Sequence, residues 1–140
     1  YADWKALELH THAGLEAQIA ALSDDIAYNN HDLDDGLRSG LLELEPLLDL
    51  PLLGDIFRRV STRWPDIKRN VMIHEAVREL IGLMVGDVLE ETKRRLAEAQ
   101  PASADALRPL DQPLVAFSED MLAILRALAR DGFADISRLH

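Results

Sequence analysis

Asp24, Tyr28 and Asp32 follow one another at intervals of four in the stretch LEAQIAALSDDIAYNNHDLDDG, residues 15–36. At about 100° per residue the three side chains fall within roughly 80° of one another. They span roughly 12 Å of helix axis. A line of acid, phenol and acid on one wall suits a site that holds a metal at one end and a hydroxyl-bearing ligand further along. The spacing also suits, and more commonly reflects, a buried Asp paired with an Arg of the next helix and a Tyr that caps the core, since ion-pair networks also bury acids. Spacing alone leaves both readings open.

The helix that must carry these residues is apolar on two sides. Leu15, Ile19, Leu22, Ile26 and Leu33 form one stripe. The opposite side holds Ala17, Ala20, Ala21 and Ala27, with Asp24, Tyr28 and Asp32 among them. A helix apolar all round is a buried helix, and an alanine face lets a neighbour come close. The pattern therefore predicts that Asp24 lies on a buried face, where a carboxylate must be paired, hydrogen-bonded or metal-bound.

The wording of the stretch adds a resemblance. EAQIAALSDDIAYNNHDLDDGL, residues 16–37, resembles the signature E-A-Q-V-A-A-x-A-D-D-I-A-Y-x-x-H-D-I-D-D-G-L of the bacterial deoxynucleoside triphosphate triphosphohydrolases, the dGTPase-like branch of the HD-domain phosphohydrolases. The match includes Glu16, Gln18, Asp24, Asp25, Tyr28, His31, Asp32, Asp34, Asp35 and Gly36. The likeness continues more loosely through residues 40–60, 72–92 and 113–121. The ending GFADISRLH departs from the aromatic and basic ending of the family.

The resemblance implies an all-α fold, a helical bundle that is the C-terminal part of an HD-domain phosphohydrolase. It implies that Asp24 binds a divalent metal of the Mg, Mn or Fe class, whose hard character suits carboxylate oxygen and imidazole nitrogen. Tyr28 and Asp32 then face the sugar of a bound deoxynucleoside triphosphate. The family's other metal ligands, a His and an adjacent His-Asp pair, come from an upstream segment that contains H-D-L-G-H-P-P-F-G-H, and no such segment occurs in these 140 residues. The literal His31-Asp32 dipeptide is not that pair: it follows Asp24 on one helix, and adjacent helical side chains point about 100° apart.

Composition bounds the rest. The chain has 140 residues, 48% of them apolar, which suffices for one domain with a real core. It has no cysteine, so disulfides and thiolate metal sites are excluded. A formal charge of −10 argues against non-specific nucleic-acid binding through a basic surface. No apolar run reaches the ~20 residues of a membrane span, and the expected location is the cytoplasm.

Punctuation along the chain predicts short loops between helices. Residues 1–13 read as irregular, with Trp4 and Leu7 or Leu9 able to pack and His10 and His12 as loop histidines. Gly14 precedes the first helix, which the sequence ends near Asp35-Gly36, glycine being a common C-terminal stop. A short segment 37–44 follows, then breaks at Pro46 and Pro51. Residues 52–63 read as a helix. A long one spans 66–99, with Ile73, Val77, Leu80, Met84 and Val88 as its stripe and Gly82 and Gly86 offering close approach. Residues 100–113 form a surface connection, and Ser118 caps a last helix over 119–130.

The remaining chemistry-bearing groups read as structural. There is no glycine-rich phosphate loop. Arg58, Arg59, Arg63, Lys68 and Arg69 form the one basic cluster, a solvated face with salt-bridge partners, or phosphate contacts if the chain serves a triphosphate hydrolase. His74 and Glu75 lie mid-helix. Residues 1–140 thus read as a single helical domain, part of a metal-dependent enzyme that converts a dNTP to deoxynucleoside and tripolyphosphate. By itself the chain is expected to be inactive. The alternative is a non-catalytic helical interaction or regulatory module that keeps the family's packing. A homo-oligomer is expected in either case.

Overall fold

The computed structural model describes residues 13–100, 102, 103, 106 and 112–130. The expectations for Trp4, Leu7, Leu9, His10 and His12, and for the ending GFADISRLH, fall outside these residues. Among the described residues there are four α-helices and no strand: α1 (Leu15–Ser39), α2 (Leu53–Arg63), α3 (Arg69–Ala99) and α4 (Glu119–Arg130), with a 3-10 turn at Glu45–Asp49. The all-α expectation holds.

The fold is organised by two stripes that face each other. Leu22, Ile26, Leu33 and Leu37 of α1 are buried in one core with Ile73, Val77, Leu80 and Met84 of α3. Ile56, Phe57 and Val60 of α2 close this core from below, together with Leu47 of the 3-10 turn. Phe117, Met121, Leu125 and Leu128 extend it through α4. Each stripe repeats at three or four residues, so each helix buries one side and leaves the other in water.

Boundaries differ from expectation at two places. The first helix does not stop at Gly36; it runs on to Ser39, and Gly40 takes the left-handed conformation at φ 77° that ends it. Two contacts explain the extra turn. Leu37 is fully buried and must stay in register with the core, and the Leu42 side chain folds back over Gly36, in the space that a Cβ would fill. The long helix begins at Arg69 rather than 66, because Trp64–Asp66 form a turn that closes with Ile67 N–H on the Trp64 carbonyl at 3.1 Å.

Among the described residues Gly82 and Gly86 do not serve as a close-approach face: none lies within 4 Å of a Cβ built at either. Most of the basic cluster is used structurally. Arg58 pairs with Asp55, Arg59 pairs with Glu79 at 2.6 Å, and the Arg69 guanidinium donates to the Leu37 carbonyl at 3.1 Å. The Arg63 guanidinium lies 5.3 Å from the centre of the Trp64 ring.

Candidate active-site wall on helix α1

Asp24, Tyr28 and Asp32 do lie along one face of α1, but that face is open rather than buried. Asp24 and Asp32 are exposed, Tyr28 is 47% exposed, and Ala17, Ala20, Ala21 and Ala27 around them are exposed too. The physical reason is plain: the leucine stripe on the other side supplies the packing with α3, and the alanines of this side stay exposed. The expectation of a buried Asp24 is therefore corrected. So is the reading of Asp24 as a carboxylate paired with an arginine. Among the described residues it takes part in no ion pair.

The wall is held rigid from behind. Near its start, the Gln18 side chain accepts from the backbone N–H groups of Leu114 and Val115 at 3.0 and 3.1 Å, and donates to the Ala13 carbonyl at 2.7 Å. Near its end, Arg69 holds the Leu37 carbonyl. Between them sit two buried amides that the sequence reading passed over. Asn29 donates to the Asp25 carbonyl at 2.8 Å. Asn30 donates to the Ile26 carbonyl at 2.8 Å and to the Met84 sulfur at 3.3 Å. Their signal was legible: two asparagines fall on the flank of a leucine stripe, where polar groups must find partners.

His31 and Asp32 diverge, as adjacent helical residues must. His31 lines a groove between α1 and α3, and Asp32 is not among the groove residues. His74 lines the same groove, whereas Glu75 lies against the Trp64 turn. Among the described residues no three His, Asp or Glu side chains converge closely enough to hold a metal ion. Asp24 fits a metal as one hard oxygen ligand; the described residues do not assemble the rest of a coordination sphere.

A second aspartate shows what a structural acid looks like in this fold. Asp87 of α3 accepts from the Ser118 N–H at 2.8 Å and from its hydroxyl at 2.6 Å. Ser118 Oγ in turn accepts from the Met121 N–H at 3.1 Å, which caps α4 as expected. Further along α3, hydrogen bonding from Arg94, joined by Arg95, lowers the Glu91 carboxyl to about 2 against the opposing effect of its burial. Arg95 reaches on to the Pro113 carbonyl at 2.7 Å.

Comparison with curated proteins places this architecture. The chain is 59% identical over 121 residues to a deoxyguanosinetriphosphate triphosphohydrolase-like protein of Parvibaculum lavamentivorans, an alignment that covers 86% of the chain and 31% of that protein. It is 48% identical over 134 residues to the protein of that name from Caulobacter vibrioides, covering 89% of the chain and 34% of the relative. It is 42% identical over 138 residues to the one from Allorhizobium ampelinum, covering 99% of the chain and 34% of the relative. The chain belongs with the deoxyguanosinetriphosphate triphosphohydrolase-like proteins. It spans about a third of the length of these relatives. No protein-family profile matches it. Among the described residues no helix is long and apolar enough to cross a membrane.

Proposed function

We propose that this chain is the C-terminal wall of a metal-dependent dNTP triphosphohydrolase, an enzyme that releases deoxynucleoside and tripolyphosphate. The observation that carries the reading is the open line of Asp24, Tyr28 and Asp32 on a helix that packs into the core through its other side. Among the described residues Asp24 and Asp32 take part in no ion pair. Asp24 would give one carboxylate oxygen to a divalent ion of the Mg, Mn or Fe class, which would polarise phosphate and sharpen a bound water. Tyr28 and Asp32, one and two turns further along, would meet the deoxyribose hydroxyl and crowd the 2′ position. The remaining ligands would come from the two thirds of the relatives' length that this chain does not span, so these 140 residues alone should not turn over substrate.

The test is tripolyphosphate release from a panel of dNTPs with Mn²⁺. It uses the protein at its relatives' full length, beside an Asp24→Ala variant. Loss of a metal ligand should lower the rate by at least about two orders of magnitude. Equal activity of the two proteins would remove Asp24 from the metal site.

One observation favours a second reading. The exposed Ala17, Ala20, Ala21 and Ala27 form a face that another helix could cover closely. A module that assembles with itself through that face would serve without chemistry, and a homo-oligomer would suit either reading. Sedimentation of the purified chain across a concentration series decides whether it self-associates.

A further inference from the structure

Beside the packed seam of α1 and α3 runs an open trough. Its two parts, of about 410 and 200 Å³, share Ser23, Ile26 and Val85 in their linings and so form one surface. The trough extends over residues 19–34 of α1 and residues 74–93 of α3, roughly 22 and 28 Å of helix axis. Ile81, Val85 and Leu89 follow one another at intervals of four along its α3 wall, and Ile19 joins Val85 and Leu89 from α1. Ile19, Val85 and Leu89 are 47%, 43% and 56% exposed.

This is a second apolar stripe on α3, beside the one that packs into the core through Ile73, Val77, Leu80 and Met84. A helix apolar on more than one side is a buried helix. A contiguous row of exposed aliphatic side chains marks a surface that another protein element covers. The walls decide what kind of element. Both are side chains of helices whose backbone bonds are made within each helix, so an occupant must satisfy its own N–H and C=O groups. An α-helix does so, and ridges spaced at three and four residues receive those of a third helix. The stretch that both walls share holds about 15 residues, or four turns.

Length and charge say where the helix comes from and what it carries. The chain spans about a third of its relatives' length, which leaves two thirds of such a protein to supply it. On the rim, Arg78 is exposed and takes part in no ion pair among the described residues, whereas Asp34 is already met by Arg38 at 3.0 Å. We propose that the trough seats an amphipathic helix from the part of the relatives' length that this chain does not span, its apolar face on Ile19, Val85 and Leu89 and an acid on its flank towards Arg78. Asp24, Tyr28 and Asp32 line neither part of the trough. The seat therefore stands whether or not the assembled protein hydrolyses a dNTP.

The test reads side-chain accessibility and needs neither metal nor turnover. Hydroxyl-radical oxidation of Ile19, Val85 and Leu89 is followed by mass spectrometry in the 140-residue chain and in the protein at its relatives' full length. A seat filled at least about nine-tenths of the time slows all three at least about tenfold in the longer protein. That protection should persist on dilution, because the occupant belongs to the same chain. Val85→Glu, at an exposed position, should leave the urea midpoint of the 140-residue chain unchanged. In the longer protein it should return Ile19 and Leu89 towards their rates in the 140-residue chain. Equal rates in the two unsubstituted proteins overturn the proposal, and that comparison needs no variant to fold. Protection that vanishes on dilution also overturns it and makes a second copy the occupant.

Discussion

The two long faces of α1 are built from similar apolar material and meet opposite fates. On the inner face, Leu22, Ile26, Leu33 and Leu37 are buried in the core that α1 shares with α3. On the outer face, four alanines, two acids and a tyrosine stand open. The contrast recurs between two aspartates. Asp87 is half-buried, accepts two hydrogen bonds from Ser118 and thereby fixes the start of α4. Asp24 is exposed and contributes no ion pair among the described residues. One acid holds the fold together, and the other is carried by it. Substitutions should therefore separate the two faces by the size and kind of their effects.

The largest effect belongs to the inner face. Leu37 is fully buried in the core, and Arg69 at the start of α3 holds its carbonyl. Leu37→Ala should destabilise the chain by about 2–5 kcal/mol through lost transfer energy and the cavity left behind. Urea denaturation followed by circular dichroism measures it. A loss below about 1 kcal/mol would mean that this end of α1 is not held by packing.

Next comes the acid that the fold uses. Asp87→Ala strands the Ser118 N–H and hydroxyl together, and hydrogen bonds to a charged acceptor contribute about 1.5–3 kcal/mol. The loss should be local as well as global. Amide exchange should accelerate at the first turn of α4 more than at the middle of α3. Uniform acceleration along both helices would contradict a brace that acts at Ser118.

The legibility of these features in the sequence divides along the same line. The helices, their stripes and the Ser118 cap follow from period and residue type, because each is decided within a few residues. The extra turn of α1 was not legible, since it depends on Leu42 reaching back over Gly36. Nor were the ties from Gln18 to Leu114 and Val115, which join residues almost a hundred positions apart. The line of Asp24, Tyr28 and Asp32 was legible as a line. Its exposure was not, because alanines pack against a neighbour or face water with equal ease, and only the presence of that neighbour decides. The groove was hidden for the same reason: His31 and His74 line one groove only once α1 and α3 are docked.

A smaller effect comes from acid. The Glu91 carboxyl is held at about 2 in the folded chain, first by the hydrogen bond from Arg94 and then by that from Arg95, against an ordinary value of 4.5. A folded value below the unfolded one means that its stabilisation is complete above pH 4.5 and is lost as the pH falls towards 2. Arg94 is about half exposed, so solvent limits the contribution to roughly 1 kcal/mol or less. Glu91→Gln should flatten the stability profile between pH 4.5 and 2 and leave its shape near neutrality unchanged. An unaltered acid limb in the variant would assign that limb to other carboxylates.

The smallest effect on stability is expected where the largest effect on chemistry is proposed. Asp24 is exposed, unpaired in charge and mid-helix, and aspartate is a poorer helix former than alanine. Asp24→Ala should therefore change unfolding free energy by no more than about 0.5 kcal/mol, with a gain as natural as a loss. The comparison with Asp87→Ala gives this near-zero its meaning, because the same substitution in the same fold costs several times more when the acid is structural. If Asp24→Ala instead destabilised the chain as much as Asp87→Ala, its carboxylate would be part of the fold and its presence would need no ligand to explain it. If it leaves stability untouched and abolishes tripolyphosphate release at the relatives' full length, packing is removed as the reason for this acid, and coordination of a metal remains.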